Sequence, residues 1–367
     1  MTDDDATMVA RPAAAEAAAT MVEHLLLVHE PGQPMRQVKL GATPLRIGRT
    51  VGNELVLPLP EISRQHCVLQ VQGARAMLTD LGSTNGTYVE GRRLAAPVAL
   101  SDGTHVGLGG FTLVYRSGTP ALLARAVALE EEIRRASDYV QALLPSPLLA
   151  GPLRAEWRFV PSASLGGDAF GYHRLPDGRF AIYLLDVTGH GAGSALLAVS
   201  VLNVLRQAAL PGGVAWQDAG GVLAALNGMF PMEQQGGLCF SIWYGLYDPA
   251  SRRLDYASGG HHPAYLRAGA SLSPLATRNL MLGAMDGLPF SAAQATVPPG
   301  ARLYLFSDGA FEITRPDGSQ QMLADFVPVL ETGGATGEAE RLLAAARAMN
   351  GPGPFEDDVS VLVLDFT

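Results

Sequence analysis

The chain has 367 residues, 48% of them apolar and 17% charged, with a formal net charge of −9. This length suits two domains, the apolar content excludes extended disorder, and two distant cysteines, Cys67 and Cys239, exclude a disulfide scaffold or a zinc site. Residues 24–116 alone are basic, with nine Lys and Arg against six Asp and Glu; residues 1–23 have one against five, and residues 117–367 have 16 against 24. A small positive excess fits one or a few phosphate groups and falls short of the basic stripe that nucleic acid requires, so no nucleic-acid partner is expected. Residues 1–23 begin with Asp3, Asp4 and Asp5 and continue as an Ala-rich run. Lacking the basic start and apolar centre of a secretion signal, they read as a disordered leader, while the two sparse cysteines point to a reducing, cytoplasmic setting. The longest apolar stretch, around Ala192 to Leu205, is interrupted by Ser194, Ser200 and Asn203. It is too short to span a bilayer and reads as a buried helix, so no membrane partner is expected.

From His24 to Arg116, short alternating apolar segments are divided by Gly, Pro and Asn turns, which predicts an all-β sandwich. Within it lie Ile47-Gly48-Arg49, Gly52-Asn53, Ser63-Arg64-Gln65-His66 and Gly82-Ser83-Thr84-Asn85-Gly86-Thr87. Alone, Asn85-Gly86 is a hairpin turn and Arg49 a solvated charge. Together and in order, these motifs resemble those of a forkhead-associated (FHA) domain, a reader of phosphothreonine. The resemblance implies that Arg49, Ser63, Arg64, Thr84 and Asn85 bind a phosphopeptide. Arg49 and Arg64 supply positive groups, Ser63 and Thr84 offer hydroxyls, and Asn85 holds the ligand's main chain. His66 reads instead as a buried strut between loops. The implied partner is a phosphothreonine protein, such as a Ser/Thr kinase or its target.

Residues 121–144 contain no Gly or Pro and place apolar residues at Leu122, Ala126, Leu129, Ile133, Ala136, Val140 and Leu143. Steps of four and three describe a heptad seam on a helix from near Pro120 to near Pro145, within a linker spanning 117–147. The seam can pair with its copy in a homodimer or pack on the following domain.

Residues 148–367 mix strand-like runs (Phe180 to Asp186, Phe240 to Tyr247, Arg302 to Ser307, Val359 to Leu364) with helical ones (Gly193 to Ala208, Gly337 to Met349). This predicts an α+β or layered domain. Carboxylates recur at strand ends: Asp186 in Asp186-Val187-Thr188-Gly189-His190-Gly191, Asp308 in Ser307-Asp308-Gly309, and Asp357-Asp358 before Val359. A single Asp beside Gly is usually a turn or cap. Several on one rim suit hard divalent cations, which prefer oxygen ligands.

With Gln141-Ala142-Leu143-Leu144-Pro145, Leu165-Gly166-Gly167-Asp168 and Gly260-His261-His262-Pro263 in the same order, the segment from about Asp138 onward resembles the SpoIIE/RsbU-like branch of the protein phosphatase 2C-like (PPM) family. The resemblance implies a central β-sandwich flanked by helices and a centre of two divalent cations, Mn2+ or Mg2+. Asp186 would bridge the cations with the Val187 carbonyl beside it. Asp308 and Asp357 would complete one shell, Asp168 would support the other, and Asp358 could assist or replace Asp357. Asp186 and Asp308 are then catalytic, and His190 is a candidate proton donor or merely shapes its turn. His261 and His262, adjacent and expected to diverge, read as structural. Gly166-Gly167-Asp168 lacks the following Glu-Phe of a cyclase, Gly189 to Ser194 has no P-loop lysine, and Ser194 lacks a nucleophile elbow. The leading expectation is an enzyme that dephosphorylates serine or threonine on a regulatory protein of the anti-sigma-antagonist type. The alternatives are a phosphopeptide adaptor whose phosphatase domain turns over weakly, and a dimerising scaffold.

Overall fold

The computed structural model describes residues 22–30, 33–162, 165–189, 191–207, 218–315, 318–334, 337–351 and 353–367. His190 and residues 1–21 of the expected leader lie outside the described residues, and Glu23 already opens the first strand. The chain divides into two compact units between Glu132 and Ile133, inside the predicted linker.

The first unit carries β1 (Glu23–His29), β2 (Arg36–Leu40), β3 (Leu45–Gly48), β4 (Leu55–Val56), β5 (Cys67–Gln72), β6 (Arg75–Asp80), β7 (Tyr88–Val89), β8 (Arg92–Arg93), β9 (Val98–Leu100), β10 (His105–Leu108) and β11 (Phe111–Gly118). They form two sheets, ordered β2-β1-β11-β10-β7-β8 and β4-β3-β5-β6-β9. Alternate residues point inward from each strand, so Leu26, Val28, Leu113 and Tyr115 of one sheet meet Ile47, Leu69, Ala76 and Leu78 of the other.

Helix α1 (Pro120–Ala142) follows. Its buried side chain is Leu123, one position from the expected seam, whereas Leu122 and Leu129 are 59% and 53% exposed. On the stripe of Leu123, seven residues on, Glu130 pairs with Arg116 of β11 at 2.9 Å, so residues 123 and 130 share the side of the helix that has partners and Leu122 and Leu129 the exposed side.

The second unit is a sandwich of two antiparallel five-stranded sheets with helices on both outer faces. Its strands are β12 (Leu153–Val160), β13 (Ala169–Arg174), β14 (Phe180–Val187), β15 (Phe240–Asp248), β16 (Arg253–Gly259), β17 (Ala264–Ala268), β18 (Ser271–Leu275), β19 (Ala293–Thr296), β20 (Arg302–Phe306), the short pair β21 (Ile313–Thr314) and β22 (Gln320–Gln321), and β23 (Val359–Phe366). The sheets run β12-β23-β20-β17-β18 and β13-β14-β15-β16-β19. Helices α2 (Ala192–Gln207) and α3 (Ala219–Met229) cover the second sheet, and α4 (Leu323–Glu331) and α5 (Glu338–Asn350) the first. Strand β14 shows why these strands read as unbroken apolar runs. Ile182 and Leu184 enter the inter-sheet core, while Ala181, Tyr183 and Leu185 lie under α2 and α3, so both faces are covered. Asp186 is the one β14 residue that escapes full burial. Among the described residues, no helix is long and apolar enough to cross a membrane.

Candidate active site and phosphopeptide loops

In the second unit, a cavity of about 360 Å3 opens at the strand ends and is lined by Asp186, Val187, Thr188, Gly189, Ser241, Gly260, His261, His262, Met281, Asp308, Phe311, Glu312 and Asp357. Asp186 comes from the end of β14, Asp308 from the turn after β20, and Asp357 from the turn before β23. Adjacent pairing of β20 and β23 brings the last two together. Their turns are joined by Ser307, whose backbone N donates to the Ser360 carbonyl at 2.9 Å. Its Oγ donates to the Asp358 carbonyl at 2.9 Å and accepts from the Ser360 backbone N at 2.8 Å. A Cβ on Gly309 would overlap the Asp358 carbonyl, so the Asp-Gly step is a packing requirement.

Asp168 is buried behind the cavity, and its Oδ2 accepts from Ser360 Oγ at 2.6 Å. Asp358 uses both carboxylate oxygens on the loop before β13. Oδ1 accepts from the backbone N and Oγ of Ser162 at 2.8 and 3.0 Å, and Oδ2 from Gly167 N at 2.7 Å. Gly166 has no Cβ because the Asp358 carboxylate occupies that space, and a Cβ on Gly167 would stand 2.8 Å from the Val187 carbonyl oxygen. Asp358, expected from the sequence to assist or replace Asp357, has both carboxylate oxygens engaged as acceptors on this loop. Ser162, Ser307 and Ser360 were not singled out in the sequence, although Ser307 and Ser360 flank the Asp motifs. Glu312, four residues after Asp308, joins the lining as a further carboxylate. Both His261 and His262 line the cavity, against the expectation that the adjacent pair points in different directions, because the turn between β16 and β17 folds both rings to one side, with centroids 4.3 Å apart.

Burial, then repulsion from Asp308, Asp357, Asp358 and Glu312, pushes the Asp186 carboxyl up to about 8. Burial, then Asp357 and Glu312, raises Asp308 to about 6. Burial, then Asp186 and Asp358, holds Asp168 well above the usual carboxylate range. None of the lining residues is Lys or Arg. Among the described residues, no three His, Cys, Asp or Glu side chains already close on one metal position. The donor set nevertheless fits hard divalent cations. Carboxylates crowded at a partly buried rim, without a basic residue among them, need positive charge to ionise together.

In the first unit, the five expected phosphopeptide residues sit on neighbouring loops. Arg49 N donates to the Ser63 carbonyl at 3.0 Å, Thr84 N to Ser63 Oγ at 3.0 Å, and Asn85 Nδ2 to the Glu61 carbonyl at 2.8 Å. Arg49, Arg64 and Thr84 are exposed. His66 is fully buried. Its Nδ1 accepts from Ser63 N at 3.1 Å, so Nε2 carries the proton and donates to the Gly86 carbonyl at 3.1 Å, tying the two loops together. Asp80, which the sequence reading passed over, anchors the second loop. It accepts from Gly82 N and Ser83 N, each at 2.8 Å, from Ser83 Oγ at 2.6 Å and from Thr87 Oγ1 at 2.7 Å.

The family model for Stage II sporulation protein E (SpoIIE) matches residues 176–367, and the FHA domain model matches residues 45–109. The phosphoserine phosphatase RsbP of Bacillus subtilis is 24% identical over 186 residues, covering 50% of this chain and 46% of RsbP. The transcriptional regulatory protein EmbR of Mycobacterium tuberculosis is 36% identical over 86 residues, covering 23% of this chain and 22% of EmbR. The chain therefore spans less than half the length of either relative. Among solved structures, the SiaA-PP2C domain of Pseudomonas aeruginosa superposes with a TM-score of 0.57 at 21% identity, over 66% of this chain and 99% of that one. The phosphatase domain and regulatory fragment of SpoIIE from Bacillus subtilis gives 0.50 at 12% identity, over 81% and 80%. These two establish the fold, and the family match covers more than half of the chain. The chain belongs to the SpoIIE family of PP2C-type phosphatase domains, with an FHA domain preceding that domain.

Proposed function

We propose that the chain is a metal-dependent protein serine/threonine phosphatase whose FHA domain reads phosphothreonine. The observation that carries this reading is the convergence of Asp186, Asp308 and Asp357 from three separate strand ends on one cavity with the Val187 segment. Asp186, Asp308, Asp357 and the Val187 carbonyl would hold two divalent cations, Mn2+ or Mg2+. Asp168, pinned by Ser360, would support the second cation, directly or through water. Asp358 fixes the Gly166-Gly167 approach to Val187. Two such cations acidify a bound water and neutralise phosphoryl charge. The chain's own residues fix the positions of those charges and shape the cavity for a phosphorylated side chain. His190, the candidate proton donor, lies outside the described residues.

The substrate we infer is a phosphoserine or phosphothreonine on a small regulatory protein of the anti-sigma-antagonist type; the similarity to the phosphoserine phosphatase RsbP supports the phosphoserine part of that reading. The exposed guanidinium groups of Arg49 and Arg64, with Ser63, Thr84 and Asn85, would take a phosphothreonine from a Ser/Thr kinase or its target and so recruit or regulate the enzyme. We take 24–116 as the reading domain, 117–147 as the linker and 148–367 as the phosphatase, in a cytoplasmic protein. The direct test is hydrolysis of p-nitrophenyl phosphate by the full chain. Turnover should disappear on chelation and return with Mn2+ or Mg2+. Absence of turnover under every cation condition, in protein that binds the cations, would leave the adaptor reading in its place.

A further inference from the structure

Between β18 and β19 the chain passes the cavity as Asn279-Leu280-Met281-Leu282-Gly283-Ala284-Met285, a stretch without a charged residue. Met281 lines the cavity, and its Cγ occupies the space that a Cβ on Gly260, another lining residue, would need. Leu280, whose carbonyl oxygen would stand 3.4 Å from a Cβ on Gly259, is 54% exposed, and Met285 is 55% exposed. Single exposed apolar side chains are ordinary on a protein surface. Two of them on a stretch that also walls a reactive cavity have the pattern of a contact surface.

Hydrogen bonds hold this stretch, so the exposure is built into the fold. The Asn279 carbonyl accepts from Gly260 N at 3.1 Å, and Asn279 Nδ2 donates to the carbonyls of Ser258 at 2.8 Å and Ser291 at 3.0 Å. Leu282 turns into the core and exchanges two backbone hydrogen bonds with Phe240, of 3.1 and 2.9 Å. Asn227 on α3, buried to 3% exposure, uses both ends of its amide here: Oδ1 accepts from Gly283 N at 2.8 Å and Nδ2 donates to the Met285 carbonyl at 2.9 Å. Gly283 in turn accepts from Met232 N at 2.9 Å. A buried amide satisfied in this way fixes the backbone that it binds.

A phosphorylated side chain that enters the cavity brings its own main chain across the mouth. The cavity, of about 360 Å3, takes a side chain and not a folded protein. Successive residues of an extended chain advance by roughly 3.3 Å, so neighbours one or two positions from the phosphorylated residue meet the rim. We propose that Leu280, Met281 and Met285 are specificity-determining residues that accept an apolar side chain one or two positions from the phosphorylated serine or threonine, which rests on the phosphatase reading. A Leu or Val at that place leaves water for contact with the isobutyl and thioether groups, and methionine adapts its shape to either. A charged side chain there sheds hydration without gaining a partner, because the stretch between Arg278 and Asp286 has no ionic group.

The test uses the full chain with Mn2+ and three phosphoserine peptides of one sequence, with Leu, Ser or Asp at the two positions on each side of the phosphoserine. p-Nitrophenyl phosphate serves as a substrate without flanks. Each protein is scored by ratios of kcat/KM among its own substrates, so a general loss of activity does not imitate the effect. Wild type should favour the Leu peptide over the Ser peptide by about tenfold, mostly through KM. In the protein with Leu280→Ser together with Met285→Ser, that ratio should fall to about threefold or less. Leu280→Arg should raise the Asp peptide relative to the Leu peptide by about tenfold over wild type, a gain that misfolding cannot produce. Equal use of the Leu and Ser peptides by an active wild type overturns the proposal, as does a ratio unchanged in the variants. A double variant that sediments as a smaller species than wild type makes the stretch a contact between copies and overturns it too. Wild-type protein that hydrolyses neither p-nitrophenyl phosphate nor any peptide sinks the phosphatase reading and this proposal together, whereas an active wild type without the preference sinks this proposal alone.

Discussion

Asp357 and Asp358 are neighbours in sequence to which we assign opposite duties, and substituting each tests the proposed metal ligand against the proposed structural strut. Asp358→Ala removes the acceptor for Ser162 N, Ser162 Oγ and Gly167 N, of which Gly167 N is fully buried. A buried donor left unsatisfied costs about 1–3 kcal/mol, the two part-buried Ser162 donors add to that, and relief of repulsion with Asp168 offsets part of the sum, so a net loss of about 2–4 kcal/mol is expected. For a unit of this size, that lowers the melting midpoint by roughly 5–15 °C. Asp357 is exposed and accepts from Asp358 N at 2.7 Å, so Asp357→Ala should cost about 1 kcal/mol or less in chelator. It should, however, abolish most of the stabilisation by Mn2+. Differential scanning calorimetry of both variants with EDTA and with Mn2+ measures the contrast. An Asp358→Ala protein that melts like wild type in EDTA and loses the Mn2+ shift would refute the assignment and make Asp358 the ligand.

Arg49→Ala in the full chain should weaken a phosphothreonine peptide by about tenfold to more than a hundredfold in fluorescence polarisation, equivalent to about 1.5–3 kcal/mol. Equal binding of phosphorylated and unphosphorylated peptides by wild type would end that reading. Burial opposes ionisation of Asp80, but the hydrogen bonds from Ser83, Thr87 and Gly82 outweigh it and hold the carboxyl below its usual range. A depressed folded pKa contributes stability in full above the unfolded value of about 4 and loses it as pH falls. The FHA transition of Asp80→Asn should therefore lie below wild type at pH 6 and converge with it toward pH 2; a gap independent of pH would count against the argument. Replacing Leu129 and Ile133 with Glu should dissociate a dimer built on the outward stripe of α1, whereas a wild-type protein that sediments as a monomer at high concentration removes the dimer proposal.

Much of the architecture is legible because burial leaves a simple trace. Runs such as Phe180 to Asp186 are apolar throughout because helices and a second sheet cover both faces, and the polar residue that ends the run sits at the cavity. The alternating, turn-rich first domain likewise announces two packed sheets. Details set by tertiary partners are less visible. Leu123 rather than Leu122 is the buried residue of α1, on the stripe whose Glu130 pairs with Arg116 from outside the helix. The roles of Asp357 and Asp358 depend on which carboxylate meets the Gly166-Gly167 loop, nearly 200 positions away in the chain. The orientation of His261 follows from a turn whose geometry is set by Met281 and Asn279, residues that no local motif connects to it.

The central claim is that carboxylates at three strand ends build a phosphatase centre for divalent cations. Its most direct test is release of inorganic phosphate from a phosphoserine protein substrate by chelated full-length chain, titrated with Mn2+, with Asp186→Asn measured alongside. The account predicts no release without cation, saturable release on adding Mn2+, and loss of many orders of ten in the folded Asp186→Asn protein. Release that persists in chelator, or Asp186→Asn turnover equal to wild type, would contradict it.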